Sequence, residues 1–224
     1  MELVLDEASS AGPEYGVGFG LTMAASRHAA AEVAEDLARF AARYTGRGVH
    51  ALGLTGNDTV VPAEVFAKAF ALARDAGLTA APHAGELAGP ESVRAAVEEL
   101  GATRVAHGIR AAEDPAVLEF LAERDVTLDV CPTSNLQLGV VPSIEAHPLP
   151  TLLAAGVRCS LGADDPLMFG VGVHDEYELA RSGLGLSDDQ LAAIARTSLD
   201  TSDAPADLIA DALTGVDAWL QDRG

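Results

Sequence analysis

The chain has 224 residues, 49% of them apolar, and a formal net charge of −20 with Lys68 as its single lysine. That is enough chain for one large domain with a substantial core, and so acidic a surface repels nucleic-acid phosphates and anionic membranes. No apolar run approaches the ~20 residues of a membrane span, and the acidic opening MELVLDEASSAGPEYG lacks the basic start and cleavage pattern of a secretory signal, so the expectation is a cytoplasmic protein that engages neither nucleic acid nor membrane.

The first strand-like run is GVGFGLTMAA (16–25). The next segment, HAAAEVAEDLARFAARYTG, reads as a helix with Val33, Leu37, Phe40, Ala41 and Tyr44 on one face and Gly46 as its stop. VHALGLTG (49–56) is a second strand. PAEVFAKAFALARDAG then starts a helix at Pro62 and leaves it at Gly77. LTAAPHAG (78–85) is a third strand, followed by PESVRAAVEELG, with Pro90 at the helix start and Gly101 at its exit. TRVAHG (103–108) is a fourth strand. In EDPAVLEFLAERD, Asp114 can cap a helix whose first turn holds Pro115. VTLDVCP (126–132) and VRCSLGAD (157–164) are the fifth and sixth strands. Beyond Asp164 the pattern is helical, with helices expected over about 174–221 and a capping box at SDDQ (187–190).

Strands alternating with helices at this spacing imply parallel strands joined by crossover helices. The candidates are an open doubly wound sheet or part of a (β/α)8 barrel, in one domain over 1–224. Neither a GxGxxG fingerprint nor a Walker-type loop is present, which weakens a nucleotide-cofactor fold. Cys131 and Cys159 form no CxxC pair and read as small buried residues, not as a disulfide or a metal site.

The chemistry-capable residues collect at one place in this pattern. His83 and Glu86 follow the third strand, His107 ends the fourth, CPTSN (131–135) follows the fifth, and Asp164 and Asp165 end the sixth. Each has a plain explanation alone: a hydrogen-bonded histidine, a solvated loop acid, a helix cap ahead of a proline. Together they occupy successive carboxyl-terminal strand ends, where (β/α)8 enzymes build their active sites. The residue types suit hydrolysis at a metal. Catalytic zinc takes imidazole and carboxylate ligands with one open position, and it lowers the pKa of bound water toward ~7. A neighbouring carboxylic acid can then protonate the substrate.

The set HAGE, VAHG, CPTSN and SLGADDPLMFG, in this order and with HPLP (147–150) before the last strand, resembles the adenosine deaminase family over about residues 16 to 200. The resemblance implies a metal-dependent (β/α)8 hydrolase that replaces the 6-amino group of a purine with oxygen. It implies His83 and Asp164 as ligands of one zinc ion, Glu86 as general acid, and His107 as the residue that positions the water. Asp165 would contact water or substrate. GLTGND (53–58) is similar to a family loop more often read as DLAGDE, which makes Gly56 a backbone contact to the purine. The implied reaction is adenosine, or a close 6-aminopurine nucleoside, to inosine and ammonia. The alternatives are a related adenine or aminofutalosine deaminase and, in another class, a non-catalytic remnant serving as a binding or interaction module.

The family opens on a strand bearing His-x-His, and none of His28, His50, His83, His107, His147 and His174 stand two apart. The resemblance therefore implies a barrel entered partway, with about six of eight strands, open sheet edges, and a metal site short of ligands. His28, in SRH, is a conceivable substitute ligand but reads better as a helix start. His50 should lie at the opposite end of the sheet, and His147 and His174 read as structural or exposed.

Overall fold

The structure is a computed structural model that describes residues 1–222. The last two residues of the domain expected over 1–224 lie outside the described residues. The chain opens with helix α1 (Glu2–Tyr15). Strands β1 (Leu21–Ser26), β2 (Val49–Thr55) and β3 (Thr79–Ala84) then alternate with helices α2 (Ala31–Ala42) and α3 (Ala67–Asp75). Helix α4 (Pro90–Leu100) leads to β4 (Arg104–His107), and α5 (Pro115–Glu123) leads to β5 (Thr127–Val130). Two short helices, α6 (Pro132–Gln137) and α7 (Leu149–Ala154), precede β6 (Arg158–Leu161). The chain finishes through α8 (Pro166–Phe169), α9 (Val173–Ser182), α10 (Asp188–Asp200) and α11 (Ala206–Gln221).

All six strands pair parallel in sequence order, β1-β2-β3-β4-β5-β6. This is six βα units of a (β/α)8-type barrel rather than a doubly wound sheet, whose strand order would reverse at a switch point. β1 and β6 are the two edges. Each strand expected from the sequence is present, because each is a short apolar run closed by Gly or a polar residue. The helix signals act as read: Pro90 opens α4 and Gly101 closes it at φ 66°, Asp114 accepts from the Ala116 N–H at 2.9 Å to cap α5, and Ser187 with Gln190 forms the capping box of α10.

Three local features differ from the sequence reading, the first being the helix expected from Pro62, which is a 3-10 turn over Ala63–Phe66 leading into α3 only at Ala67. Helix α1 forms where no element was expected. Leu5 anchors it at 5% exposure, Glu2 pairs with Arg47 at 2.7 Å, and Gly16 ends it. Helix α2 turns Ala34, Ala38 and Ala41 to the core, while Val33 is 56% exposed. Its small residues sit against the sheet. Leu37 and Phe40 pack at the margin of the contact, and Tyr44 is buried just beyond the helix.

The core lies between the sheet and its helices. Leu52 and Leu54 of β2, Phe66 and Phe70 around the start of α3, Leu100, Leu121 and Leu128 are all fully buried. Each such side chain contributes about 1.5–3 kcal/mol, and truncating Phe70 to Ala would cost about 3–5 kcal/mol. This packing fixes the strand ends on which the polar residues stand. Cys131 and Cys159 are free and buried, as expected for small apolar residues. No helix among the described residues is long and apolar enough to cross a membrane.

Candidate active site

His83 is the next-to-last residue of β3, and the chain turns sharply beyond it. Gly85 makes the turn at φ 64°, and a Cβ there would stand 2.2 Å from Val93 Cγ2 and 3.3 Å from Gly108 Cα. Only glycine fits both the backbone and the space. The turn brings Glu86 back beside β4, where its Oε2 lies 3.6 Å from His107 Nε2. The His83 and His107 rings meet edge to face with centroids 4.9 Å apart. One donor atom from each of His83, Glu86 and His107 falls within 4.8 Å of the others.

Among the described residues, three that are not glycine have positive φ: His107 (64°), Asp164 (56°) and Asp125 (53°). Asp125 sits in the turn before β5. The other two are candidate site residues, His107 at the end of β4 and Asp164 just beyond β6. The left-handed region costs an ordinary residue about 1–2 kcal/mol, and such strain collects where a side chain must be aimed.

The electrostatics are those of buried groups crowded by carboxylates. Burial, then repulsion from Asp164 and Asp58, pushes the Glu86 carboxyl up to about 7. Burial lowers His83, partly opposed by attraction to Asp164. Burial and the neighbouring His83 lower His107. His107 is uncharged at neutral pH, so its contact with Glu86 is not an ion pair.

Asp164 accepts a hydrogen bond from Ser134 Oγ at 2.7 Å. Asp165 caps α8, its Oδ1 accepting from the Met168 N–H at 3.2 Å. Gly56 ends β2 at φ 96°, and a Cβ there would lie 3.1 Å from His28 Cδ2. His28 itself lies in the turn between β1 and α2, three residues before that helix begins. His50 lies toward the start of β2 against Gly20, away from these strand ends. His147 is not an exposed histidine: it is 3% exposed, and its Nε2 lies 3.2 Å from Asn135 Oδ1.

Two supporting residues, Arg27 and Asp58, escaped the sequence reading, as did the contacts made by the CPTSN segment that it singled out. Arg27, 1% exposed, donates from Nη1 to the Val61 carbonyl and from Nη2 to the His83 carbonyl, each at 2.7 Å. Asp58 accepts from the backbone N–H groups of Glu86, Leu87 and Ala88. The CPTSN segment forms the first turn of α6, where Thr133 N–H donates to the buried Glu176 at 3.1 Å. From that turn Ser134 reaches Asp164, and Asn135 reaches His107 at 3.4 Å. Arg27 and Asp58 each follow a strand of small and apolar residues, which is the one signal in the sequence that could have singled them out.

The donor set suits a divalent cation. It offers two imidazoles held neutral by burial, an adjacent carboxyl, and the negative field of Asp164, Asp58 and Asp129 at the histidines. Neutral imidazole and carboxylate are the ligands zinc takes. The arrangement can bind a cation and deliver a proton from Glu86 beside it.

The adenosine deaminase family matches this chain over residues 1–219. The chain is 47% identical to a putative adenosine/adenine deaminase of Streptomyces virginiae, over 98% of its own length and 65% of that relative. It is 42% identical to the aminodeoxyfutalosine deaminase of Acidothermus cellulolyticus, over 77% of this chain and 51% of that protein. Among solved structures, adenine deaminase from Arthrobacter aurescens superposes with a TM-score of 0.91 at 30% identity, covering 97% of this chain and 66% of that one. The chain thus spans less than two-thirds of the length of the Streptomyces relative and about half of the Acidothermus one.

Proposed function

The chain belongs to the adenosine deaminase family, and on that premise we propose that it carries most of a site for hydrolytic deamination of a 6-aminopurine nucleoside, adenosine to inosine and ammonia. The activity is proposed for the whole protein. The observation that carries the reading is Glu86: its carboxyl is pushed up to about 7 while it stands 3.6 Å from His107 and within the same cluster as His83.

His83 and Asp164 are the proposed ligands of one zinc ion. When bound, zinc acidifies a water and so supplies a nucleophile at neutral pH. Glu86, protonated over part of the neutral range, delivers its proton to purine N1 as C6 is attacked. Its ordinary carboxyl pKa of 4.5 would leave too little acid for that task. His107 donates from Nε2 toward the attacking oxygen and fixes its approach. Asp165 contacts the water or the substrate once released from its cap on Met168. Gly56 offers its backbone to the purine, since a residue without a side chain permits close approach. The attack makes C6 tetrahedral, and departure of ammonia restores the ring, so that water and aminopurine become oxopurine and ammonia.

The similarity to proteins named adenosine/adenine, adenine and aminodeoxyfutalosine deaminases supports an aminopurine substrate. The test restores to this chain the part of the Streptomyces relative's length that it does not match. Ammonia release is then followed with adenosine, adenine, aminodeoxyfutalosine and cytidine. Turnover of adenosine, lost by ~100-fold or more in Glu86→Gln, is expected from the size of single catalytic contributions. Release from cytidine and from no aminopurine would overturn the reading.

A further inference from the structure

We propose that Asn135 and His147 are positioning residues that fix the tautomer of His107, holding its single proton on Nε2, the nitrogen that faces Glu86. The proposal deepens the reading above in giving that proton a use. The hydrogen-bond chain itself stands on geometry alone.

The chain starts at a group with no choice. The Leu149 backbone N–H donates to His147 Nδ1 at 3.1 Å. A backbone amide cannot accept there, so His147 Nδ1 must present its lone pair. A neutral imidazole has one proton, which then sits on His147 Nε2. That nitrogen lies 3.2 Å from Asn135 Oδ1 and donates to it. Reversing the Asn135 amide would set N–H against N–H, so its orientation is fixed as well. The Asn135 Nδ2 group then lies 3.4 Å from His107 Nδ1 and donates to that lone pair. The His107 proton is left on Nε2, 3.6 Å from Glu86 Oε2.

With both rings oriented as they are, the only escape is a doubly protonated imidazole, and the surroundings oppose it. Such a cation at His147 would face the Leu149 N–H, and at His107 it would face the Asn135 amide. Burial pushes His147 down to about 4. His107, Asn135, His147 and Leu149 are at most 3% exposed, so bulk water offers no alternative partners.

The consequence separates two neighbouring histidines. With Nε2 protonated, His107 can donate to an oxygen at the cluster but cannot offer that nitrogen's lone pair to a cation. His83 carries no such constraint in the relay. The relay thus decides which imidazole of the His83–Glu86–His107 group is free to ligate and which orients.

The test is a long-range 1H–15N correlation spectrum of the 15N-histidine-labelled 224-residue chain, freed of metal by a chelator at neutral pH. Loss of a resonance in His107→Gln assigns His107. Both His107 and His147 are expected as Nε2–H tautomers. In Asn135→Asp the carboxylate still accepts from His147 but can no longer donate, so the Nε2–H signature of His107 is expected to be lost in favour of Nδ1–H while that of His147 stays. Wild-type His107 in the Nδ1–H form, or a His107 tautomer unmoved by Asn135→Asp, would overturn the proposal. The wild-type spectrum decides alone if the variant fails to fold. Deamination is not read in this experiment, so its outcome and that of the ammonia assay fall independently.

Discussion

The Asp58 carboxylate holds the loop that carries Glu86. Asp58 is 8% exposed and accepts from the Glu86 N–H at 3.3 Å, from Leu87 at 3.1 Å and from Ala88 at 2.8 Å. Ser92 Oγ adds a fourth donor at 3.3 Å. One carboxylate thus satisfies the backbone of the turn between β3 and α4 and sets where Glu86 begins.

Removing this anchor should loosen Glu86 before it loosens the fold. Asp58→Ala leaves three part-buried N–H groups without a partner, and a loss of about 2–3 kcal/mol follows from the cost of unsatisfied groups. Asp58→Asn, with one accepting oxygen, should lose less. Urea denaturation gives the stability, and amide hydrogen exchange at residues 86–88 locates it. Unchanged exchange there in Asp58→Ala would show that the loop is held by something else.

The raised Glu86 pKa has a definite pH signature in metal-free protein. The folded value is about 7 and the ordinary value 4.5. Between those limits the folded state keeps a proton that the unfolded state has released. The Glu86 contribution to stability therefore falls as pH rises through this window and is flat on either side, while the buried histidines, lowered in the folded state, act in the opposite sense. Glu86→Gln removes the Glu86 contribution and leaves that of the histidines. Its Tm should match the parent's below pH 4.5 and exceed it by on the order of a few °C above pH 7. A constant difference across the range would mean that Glu86 titrates normally.

Arg27 should prove as important to the site as to the fold. Its two bonds tie the His83 carbonyl at the end of β3 to the Val61 carbonyl beyond β2. Arg27→Met leaves both carbonyls without their donor, and a loss of about 3 kcal/mol is expected for breaking a buried, charge-assisted pair of bonds. Arg27→Lys supplies a point charge without the fork and should recover part of it. Equilibrium unfolding in urea measures both, and a Met variant as stable as the parent would remove Arg27 from the account.

The strands and most helices were legible because their signals are local. An apolar run ending in Gly, a proline at a helix start and an SDDQ box each act within a few residues. Helix α1 was not legible, because Ser9, Ser10, Gly12 and Pro13 dilute its apolar pattern, and Leu3 and Val4 stay exposed while Leu5 is buried. The candidate site residues were legible as a set because they recur at strand ends. Their support was not. Arg27 meets His83 across 56 residues, Asp58 meets Glu86 across 28, and Asn135 meets His107 across 28. No periodicity encodes such pairs; only the parallel order of the strands brings them together. His147, read as structural or exposed, illustrates this: its role follows from Asn135 and Leu149 and from nothing in HPLP by itself.

If His83, Glu86, His107 and Asp164 make one cation-dependent site, with His83 and Asp164 as the ligands this chain supplies, ion binding should depend on both. Titration of the metal-free 224-residue chain with Co2+, followed by its visible absorption, reads this directly. One ion per chain is expected, held weakly because two ligands are fewer than the three or more that a catalytic site takes, and lost in both His83→Ala and Asp164→Ala. An ion bound with unchanged affinity and spectrum in both variants would contradict it.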